Sequence, residues 1–322
     1  MFPYLFFTDP LNLTDVNRPI HFGEWMPAFT LVRTMDDEAL ANSRRAFATQ
    51  VLSKEGVLSD EALLRAFATV PRERFLGPPP WKMAGWGGYV DIASDDPAAV
   101  YQDALFALQH QRHINNGSPS LHARGIHKLA LREGDTICHV GAGSGYYTAI
   151  LSLLVGSSGN VTAVEFDAEL AVRAEENLRA YPNVRVVHGN GLEWPREPAD
   201  AVYVNFAIHF LVDAWVERLR VGGRLILPLG VPDVDARGPT GLASYAGFFL
   251  FRREEHGYAA EYLCPVAFVW GEAVKSGFVS YRRLEAAFYK GGMEQVRALR
   301  WKGPRQGKEW YSEVDWGLVF GA

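Results

Sequence analysis

The chain has 322 residues, 48% of them hydrophobic and 21% charged, with a formal net charge of −5. That composition is that of an ordinary globular protein and excludes a disordered or low-complexity chain. Charges of both signs are interspersed without a long basic run, so no nucleic-acid partner is expected.

Residues 1–35 carry aromatics and prolines without periodicity and read as an irregular arm. Its apolar start, MFPYLFF, lacks a basic flank and soon meets Asp9, which fits neither a secretory signal nor a membrane span. Helical patterning begins near Asp36 and sets off a helical region over 36–110. In SDEALLRAFATVPRERF, Ser59 is placed to cap a helix, Leu63, Leu64 and Phe67 share one face, and Pro71 ends it. LGPPPWKMAGWGGYV is rich in breakers and reads as a loop, inside an insertion near 78–100.

From Leu131 the chain alternates. DTICHV reads as a strand and YYTAILSLLV as a helix. NVTAVEF is a second strand, and DAELAVRAEENLRAY a helix that Asp167 caps. VRVVHG, AVYVNFA and RLILPLG add three strands, with a helix in LVDAWVERL before the last. Repeated strand–helix alternation with β-branched strands predicts an α/β fold, a mostly parallel sheet covered on both faces. YAGFFLFRR and YAAEYLCPVAF, joined by EEHG, predict an antiparallel strand pair at the sheet's edge. The core so defined spans 111–272, and 273–322 form a C-terminal extension. Cys138 and Cys264 lie in apolar runs without a CxxC pair and read as buried free thiols, which suits a reducing cytoplasm.

The stretch HVGAGSGYYTAILSLL places Gly141, Gly143 and Gly145 between a strand and a helix. A triphosphate loop needs a Lys and a Ser or Thr after its glycines, where this chain has Tyr146 and Tyr147. A dinucleotide loop needs a third glycine where Tyr146 stands. What remains is a ligand that needs close backbone approach without a phosphate cradle. Glu165 ends the second strand, where a carboxylate can accept both hydroxyls of a ribose. An adenosine with free hydroxyls and no phosphate is S-adenosylmethionine. The expected cofactor residues are Gly141, Ala142, Gly143, Ser144, Gly145, Glu165, Phe166, Asn190, Gly191 and Asn205. Phe166 serves either the adenine or the core, and Asn190 either the adenine amino group or a turn.

Several segments in order resemble the protein-L-isoaspartate O-methyltransferase family: VPRERF, VYQDALFAL, NNGSPSLHA, VGAGSGYYTA, HGNG, VGGRLILPLG and YAGFFLFRR…EYLCPVAFV. The resemblance covers about Asp36 to Gly271. It implies a class I methyltransferase (Rossmann-like) fold, S-adenosylmethionine as donor and a carboxylate as acceptor. Aligning Pro119 with the family's proline puts Gly117 at its active-site serine and Ser118 at its glutamine. NFAIHF, with Phe206 and His209, replaces small residues after the fourth strand. These departures weigh against repair of isoaspartyl residues. SPSLHA, AWVERLRVGGRLILPL and the extension also resemble, more loosely, the branch that methylates ribosomally made peptides.

A carboxylate acceptor is already ionised at neutral pH and needs only donors to orient it. Ser118, or the backbone amides of Gly117 and Ser118, are placed to supply them. The alternative, a natural-product methyltransferase acting on a hydroxyl or amine, needs a base instead, for which His113, His122 and His209 are the candidates. A third reading is a catalytically silent binding module of the same fold. His110 and His113 lack a third ligand, so no metal is expected. Arg282, Arg283, Arg297, Arg300 and Arg305 among Trp301, Trp310 and Trp316 form either a recognition surface or a packed appendage. The expected partner is a peptide, a protein or a small carboxylic acid, with no membrane; the oligomeric state stays open.

Overall fold

The structure, a computed structural model, describes residues 35–85, 88–235, 238–272, 278–305 and 307–321. The arm expected over 1–35 lies outside them apart from Met35. Three helices come first: α1 (Met35–Lys54), α2 (Glu61–Thr69) and α3 (Arg72–Leu76). Asp60, not Ser59, caps α2, its side chain accepting from the Leu63 amide at 3.1 Å. The helix starts one residue later than the sequence pattern suggests, so the cap moves with it. Leu63 and Phe67 bury their side chains as the apolar face predicts.

The segment expected to be a loop contains a hairpin, β1 (Lys82–Gly85) and β2 (Gly88–Asp91). Its turn residues masked two short alternating runs. Lys82 and Asp91 pair in register, and their side chains form an ion pair at 2.5 Å. A second small hairpin follows, β3 (Ala107–Gln109) with β4 (Ile114–Asn115), and then α4 (Pro119–Leu129).

Next come β5 (Thr136–Val140), α5 (Tyr146–Val155), β6 (Asn160–Glu165), α6 (Ala168–Leu178), β7 (Val184–His188) and β8 (Ala199–Val204). Asp167 caps α6 as expected, accepting from the Leu170 amide at 2.9 Å. The helix predicted in LVDAWVERL is only α7 (Asp213–Glu217), because Leu219 already pairs with Ala199 at the start of β9 (Leu219–Asp235). β10 (Gly238–Glu254) and β11 (Gly257–Val266) complete the antiparallel meander. The C-terminal segment supplies α8 (Phe278–Lys290), β12 (Val296–Trp301), β13 (Glu309–Ser312) and β14 (Trp316–Phe320).

These strands make a ten-stranded sheet in the order β13-β14-β12-β11-β10-β9-β8-β5-β6-β7. The half from β7 to β9 is parallel and the rest antiparallel. The β10–β11 pair is therefore not at the edge. Tyr258 and Ala259 of β11 pair with Leu299 and Ala298 of β12, and the extension continues the sheet. Alternate residues of the central strands feed opposite cores: Tyr203, Ile226 and Phe248 pack with the N-terminal helices, while Val202, Leu225 and Phe249 pack with Trp215 and Trp310. Each such fully buried large apolar side chain contributes roughly 1.5–3 kcal/mol. Cys138 is buried and Cys264 only partly so; both are free.

Candidate active site

The C-terminal ends of β5, β6 and β8 meet at the glycine loop. Gly141, Gly143 and Gly145 all have positive φ (77°, 58° and 96°), a conformation that favours glycine. Four of the loop's amides are spent inside the protein. Gly141 and Ala142 donate to the Val164 carbonyl, Gly143 to Glu165 Oε2 at 2.7 Å, and Gly145 to the Ala142 carbonyl. A loop with these donors committed is a poor phosphate cradle, as the sequence pattern implies. The buried Ser144 receives the Asn177 amide on its carbonyl at 2.9 Å.

Glu165 closes β6 and is buried; its second oxygen accepts from the Asp167 amide at 3.0 Å. Burial raises its pKa, and the backbone amides of Asp167, Gly143 and Phe166 oppose that shift. The neighbouring Phe166 ring is 48% exposed, so it is not core filling. Asn190 acts as a turn former, its Oδ1 accepting from the Leu192 amide at 3.1 Å. At Gly191 a Cβ would stand 2.2 Å from Val140 Cγ1, so glycine lets the turn after β7 approach the end of β5.

Asn205 follows β8, with its own amide on the Val140 carbonyl at 2.9 Å. Its Nδ2 lies 2.6 Å from His139 Nε2, while its Oδ1 is buried with no hydrogen-bond partner among the described residues. His139 in turn meets Thr148 Oγ1 at 2.7 Å, and burial drives its pKa down to about 3. A buried carboxylate, an exposed ring beside it, an orphaned amide oxygen and a loop that commits the amides of Gly141, Ala142, Gly143 and Gly145 internally fit an adenosyl group that carries no phosphate.

Beside this loop lies the segment expected to orient the acceptor. Gly117 has φ +73°, and its amide already donates to Asn115 Oδ1 at 2.9 Å. That amide is therefore unavailable as an orienting donor, contrary to the expectation from sequence. Ser118 holds the N-cap position of α4 without a side-chain cap bond; its Oγ lies 3.2 Å from Ser120 Oγ. A Cβ on Gly117 would stand 2.1 Å from His122 Nε2. His122 is buried, stacks on Tyr147 with ring centroids 3.7 Å apart, and places Nδ1 2.7 Å from the Tyr203 hydroxyl. This is the one hydrogen bond of the buried Tyr203 hydroxyl among the described residues, and satisfying its O–H assigns Nδ1 as the acceptor and Nε2 as the protonated nitrogen.

Residues 43–236 match the model of the family described as protein-L-isoaspartate(D-aspartate) O-methyltransferase. The chain belongs to this family. It is 30% identical over 222 residues to the protein-L-isoaspartate O-methyltransferase of Ignicoccus hospitalis, covering 68% of this chain and 92% of that one. It is 31% identical over 236 residues to protein-L-isoaspartate O-methyltransferase 1 of Geotalea uraniireducens, covering 71% and 93%. Among solved structures, a protein-L-isoaspartate O-methyltransferase from Plasmodium falciparum, in complex with S-adenosyl-L-homocysteine, superposes with a TM-score of 0.54. The match is 19% identical and covers 70% of this chain and 97% of that one.

As a protein-L-isoaspartate O-methyltransferase family member, the chain is an S-adenosylmethionine-dependent methyltransferase with the α/β fold that the motifs imply. The other predicted site residues fall as follows. His209 is buried on the loop after β8, its ring parallel to Trp270 at 5.8 Å, and burial lowers its pKa to about 4. His113 is exposed, at the end of the turn after β3, beside the Tyr89 ring. No group of three or more metal-binding side chains occurs among the described residues, and none of their helices is long and apolar enough to cross a membrane.

Sequence reasoning missed Arg72, which belongs to VPRERF. Its side chain is fully buried between Phe47 and Phe106 and donates to the carbonyls of Val100, Gln102 and Ala104 at 2.5–2.7 Å. It fixes the segment that carries Asp103, whose Oδ1 accepts from the Ser120 amide at 3.0 Å at the start of α4. A buried arginine flanked by Pro71 and Glu73 has no signature that separates it from a surface one. Gln109 and Arg112 were missed as well. Gln109 reaches Asp167 and Glu169, and Arg112 bridges Asp167 and Glu272, so the β3–β4 hairpin is tied across the end of β6. In the extension, Arg300 is buried against Glu309 at 2.7 Å, and Trp310 and Trp316 are buried, which favours the packed-appendage reading for these three.

Proposed function

We propose that this protein transfers the methyl group of S-adenosylmethionine to a carboxylate of a peptide or protein: an aspartyl or isoaspartyl side chain, or a related carboxylic acid. The loop Gly141–Gly145 with Glu165, Phe166, Asn190, Gly191 and Asn205 is the reading's cofactor site. When bound, the cofactor supplies an electrophilic methyl carbon. A carboxylate oxygen forms the new O–C bond as the S–C bond breaks, the electron pair stays on sulfur, and no proton moves. The protein's own task is to hold the oxygen in line and to exclude water.

One observation carries the choice of a carboxylate over a hydroxyl or amine. His122, the histidine against Gly117, has its lone pair occupied by the Tyr203 hydroxyl, and burial near His139 and Arg72 holds its pKa well below the usual range. It cannot act as a ready proton acceptor, and a carboxylate asks for none. His209, driven to about 4 by burial, is likewise a weak base. The names of the relatives point to the same acceptor class.

The test is transfer of a tritiated methyl group to three otherwise identical peptides bearing isoaspartyl, aspartyl or asparaginyl at one position. The expected product is labelled on a carboxylate peptide only and releases volatile methanol in mild base, as an ester does. Base-stable label would mean an ether or amine product and would reject the carboxylate reading. The looser resemblance to peptide-maturation enzymes rests on the extension; a preference for aspartyl over isoaspartyl in this panel would support it.

A further inference from the structure

Two side chains with N–H donors, Asn116 and His122, lie against Gly117, and the donor of the first is buried without a partner among the described residues. Asn116 Oδ1 accepts from the Phe106 amide at 2.8 Å, yet Asn116 Nδ2 is buried with no hydrogen-bond partner among the described residues. His122 gives Nδ1 to Tyr203, which turns Nε2 toward Gly117, into the space that any side chain at 117 would fill. Desolvating a polar group without a partner is costly, and such a group in a native fold calls for an explanation.

Placement supplies one. His122 sits in the first turns of α4 and stacks on Tyr147, which lies in the first turn of α5 directly after the glycine loop. The Tyr147 hydroxyl reaches the Gly117 carbonyl at 3.5 Å. The ring is thus clamped from three sides, by Tyr147 on its face, Tyr203 at Nδ1 and the edge of Phe268. A clamped ring presents its N–H in one direction at little further entropic cost.

We propose that Nε2–H of His122 is the donor that orients the acceptor carboxylate, in the place left open by the missing side chain of Gly117. This rests on the carboxylate reading above and names the residue that serves it. His122 stays neutral throughout the transfer, because the acceptor brings no proton. The titratable groups around it are Tyr203, Tyr147, His139 and Arg72, and none is a carboxylate that would compete for the donor. Absence of a Cβ at 117 is a condition of the arrangement, since the two cannot share that volume.

The experiment uses the full chain and whichever carboxylate peptide of the panel is labelled best. His122→Phe keeps a ring on Tyr147 but removes the donor; kcat/KM is expected to fall about ten- to hundredfold with S-adenosylmethionine affinity unchanged. His122→Gln, whose side-chain NH2 lies near the place of Nε2, should recover most of the loss, which a merely structural role would not predict. Nitrogen-15 spectra of histidine-labelled wild-type protein, loaded with S-adenosylhomocysteine, need no variant. They should show the Nε2–H tautomer for His122, shifted by the carboxylate peptide and not by the asparaginyl one. If the peptide is methylated to an ester but the His122 signal does not move and His122→Phe keeps its kcat/KM, the proposal falls and the carboxylate reading stands. Base-stable label in the panel would remove both.

Discussion

The Gly143 amide donates to Glu165 Oε2 across 2.7 Å, joining the glycine loop to the end of the neighbouring strand. One carboxylate thus both shapes the loop and remains available to a ribose through its other lone pairs. Glu165→Ala is expected to weaken S-adenosylmethionine binding by about 1.5–3 kcal/mol, the range for hydrogen bonds to a charged group. Glu165→Gln, which keeps an acceptor for one amide, should fall between. Calorimetric titration measures both, and an unchanged dissociation constant in the alanine variant would remove Glu165 from the site.

Gly117 and His122 exclude one another sterically, which predicts a coupled pair. Gly117→Ser alone should destabilise the protein by about 1–3 kcal/mol through overpacking at a backbone with positive φ. Adding His122→Ala frees the volume, so the double variant should be more stable than the sum of the two singles. Urea unfolding of the four proteins in the cycle gives the coupling energy. Strict additivity would mean the neighbouring segment shifts to make room.

The same exclusion bears on isoaspartyl repair. A ring N–H at His122 stands in that volume but not at the position of a serine hydroxyl, so turnover of a standard isoaspartyl peptide should lie about tenfold or more below that of a repair enzyme assayed alongside it. Comparable turnover would mean that the change at 117 does not limit isoaspartyl methylation, and the prediction would fail.

The rate of methyl transfer should be nearly flat from about pH 6 to 8, the window in which an ordinary histidine titrates. A neutral donor and an ionised acceptor both keep their states across it. A steep rise near pH 6.5 that disappears in a His113→Gln or His209→Gln variant would restore the base-dependent reading.

Stability, unlike rate, should depend on pH. His139 is lowered from 6.5 to about 3 by burial, so below pH 6.5 the unfolded chain takes up a proton that the folded chain refuses. The folded state therefore loses about 1.4 kcal/mol per pH unit for this residue as the pH falls toward its folded value. His139→Asn should flatten the dependence of unfolding free energy on pH between 6.5 and 4.5 by about one proton. An identical slope in wild type and variant would place a proton on His139 in the native state.

The parallel half of the sheet was legible because its signals are local. β5, β6 and β8 are short β-branched runs, Asp167 stands where a cap must, and the glycines fall between strand and helix. The donor at His122 was visible only as one histidine among several, because its meaning comes from Gly117, Tyr147 and Tyr203, which the fold brings in from separate elements. Arg72 was hidden for a related reason: its partners are three backbone carbonyls, and carbonyls leave no mark in a sequence. The pairing of β12 with β11 was equally silent, since it rests on contacts between residues about forty positions apart.

The strands added by the C-terminal extension also decide what the sheet offers to other chains. Without them β11, ten residues long, would end the sheet with its backbone donors and acceptors unpaired. With them Tyr258 and Ala259 of β11 are paired with β12, and the outermost strands are β13, of four residues, and β7, of five, whose Arg185 and His188 are exposed. Short margins with polar side chains are poor templates for a foreign strand. The extension thus shortens the edge that β11 offers to a foreign strand, and the two longest strands, β9 and β10, lie in the interior of the sheet.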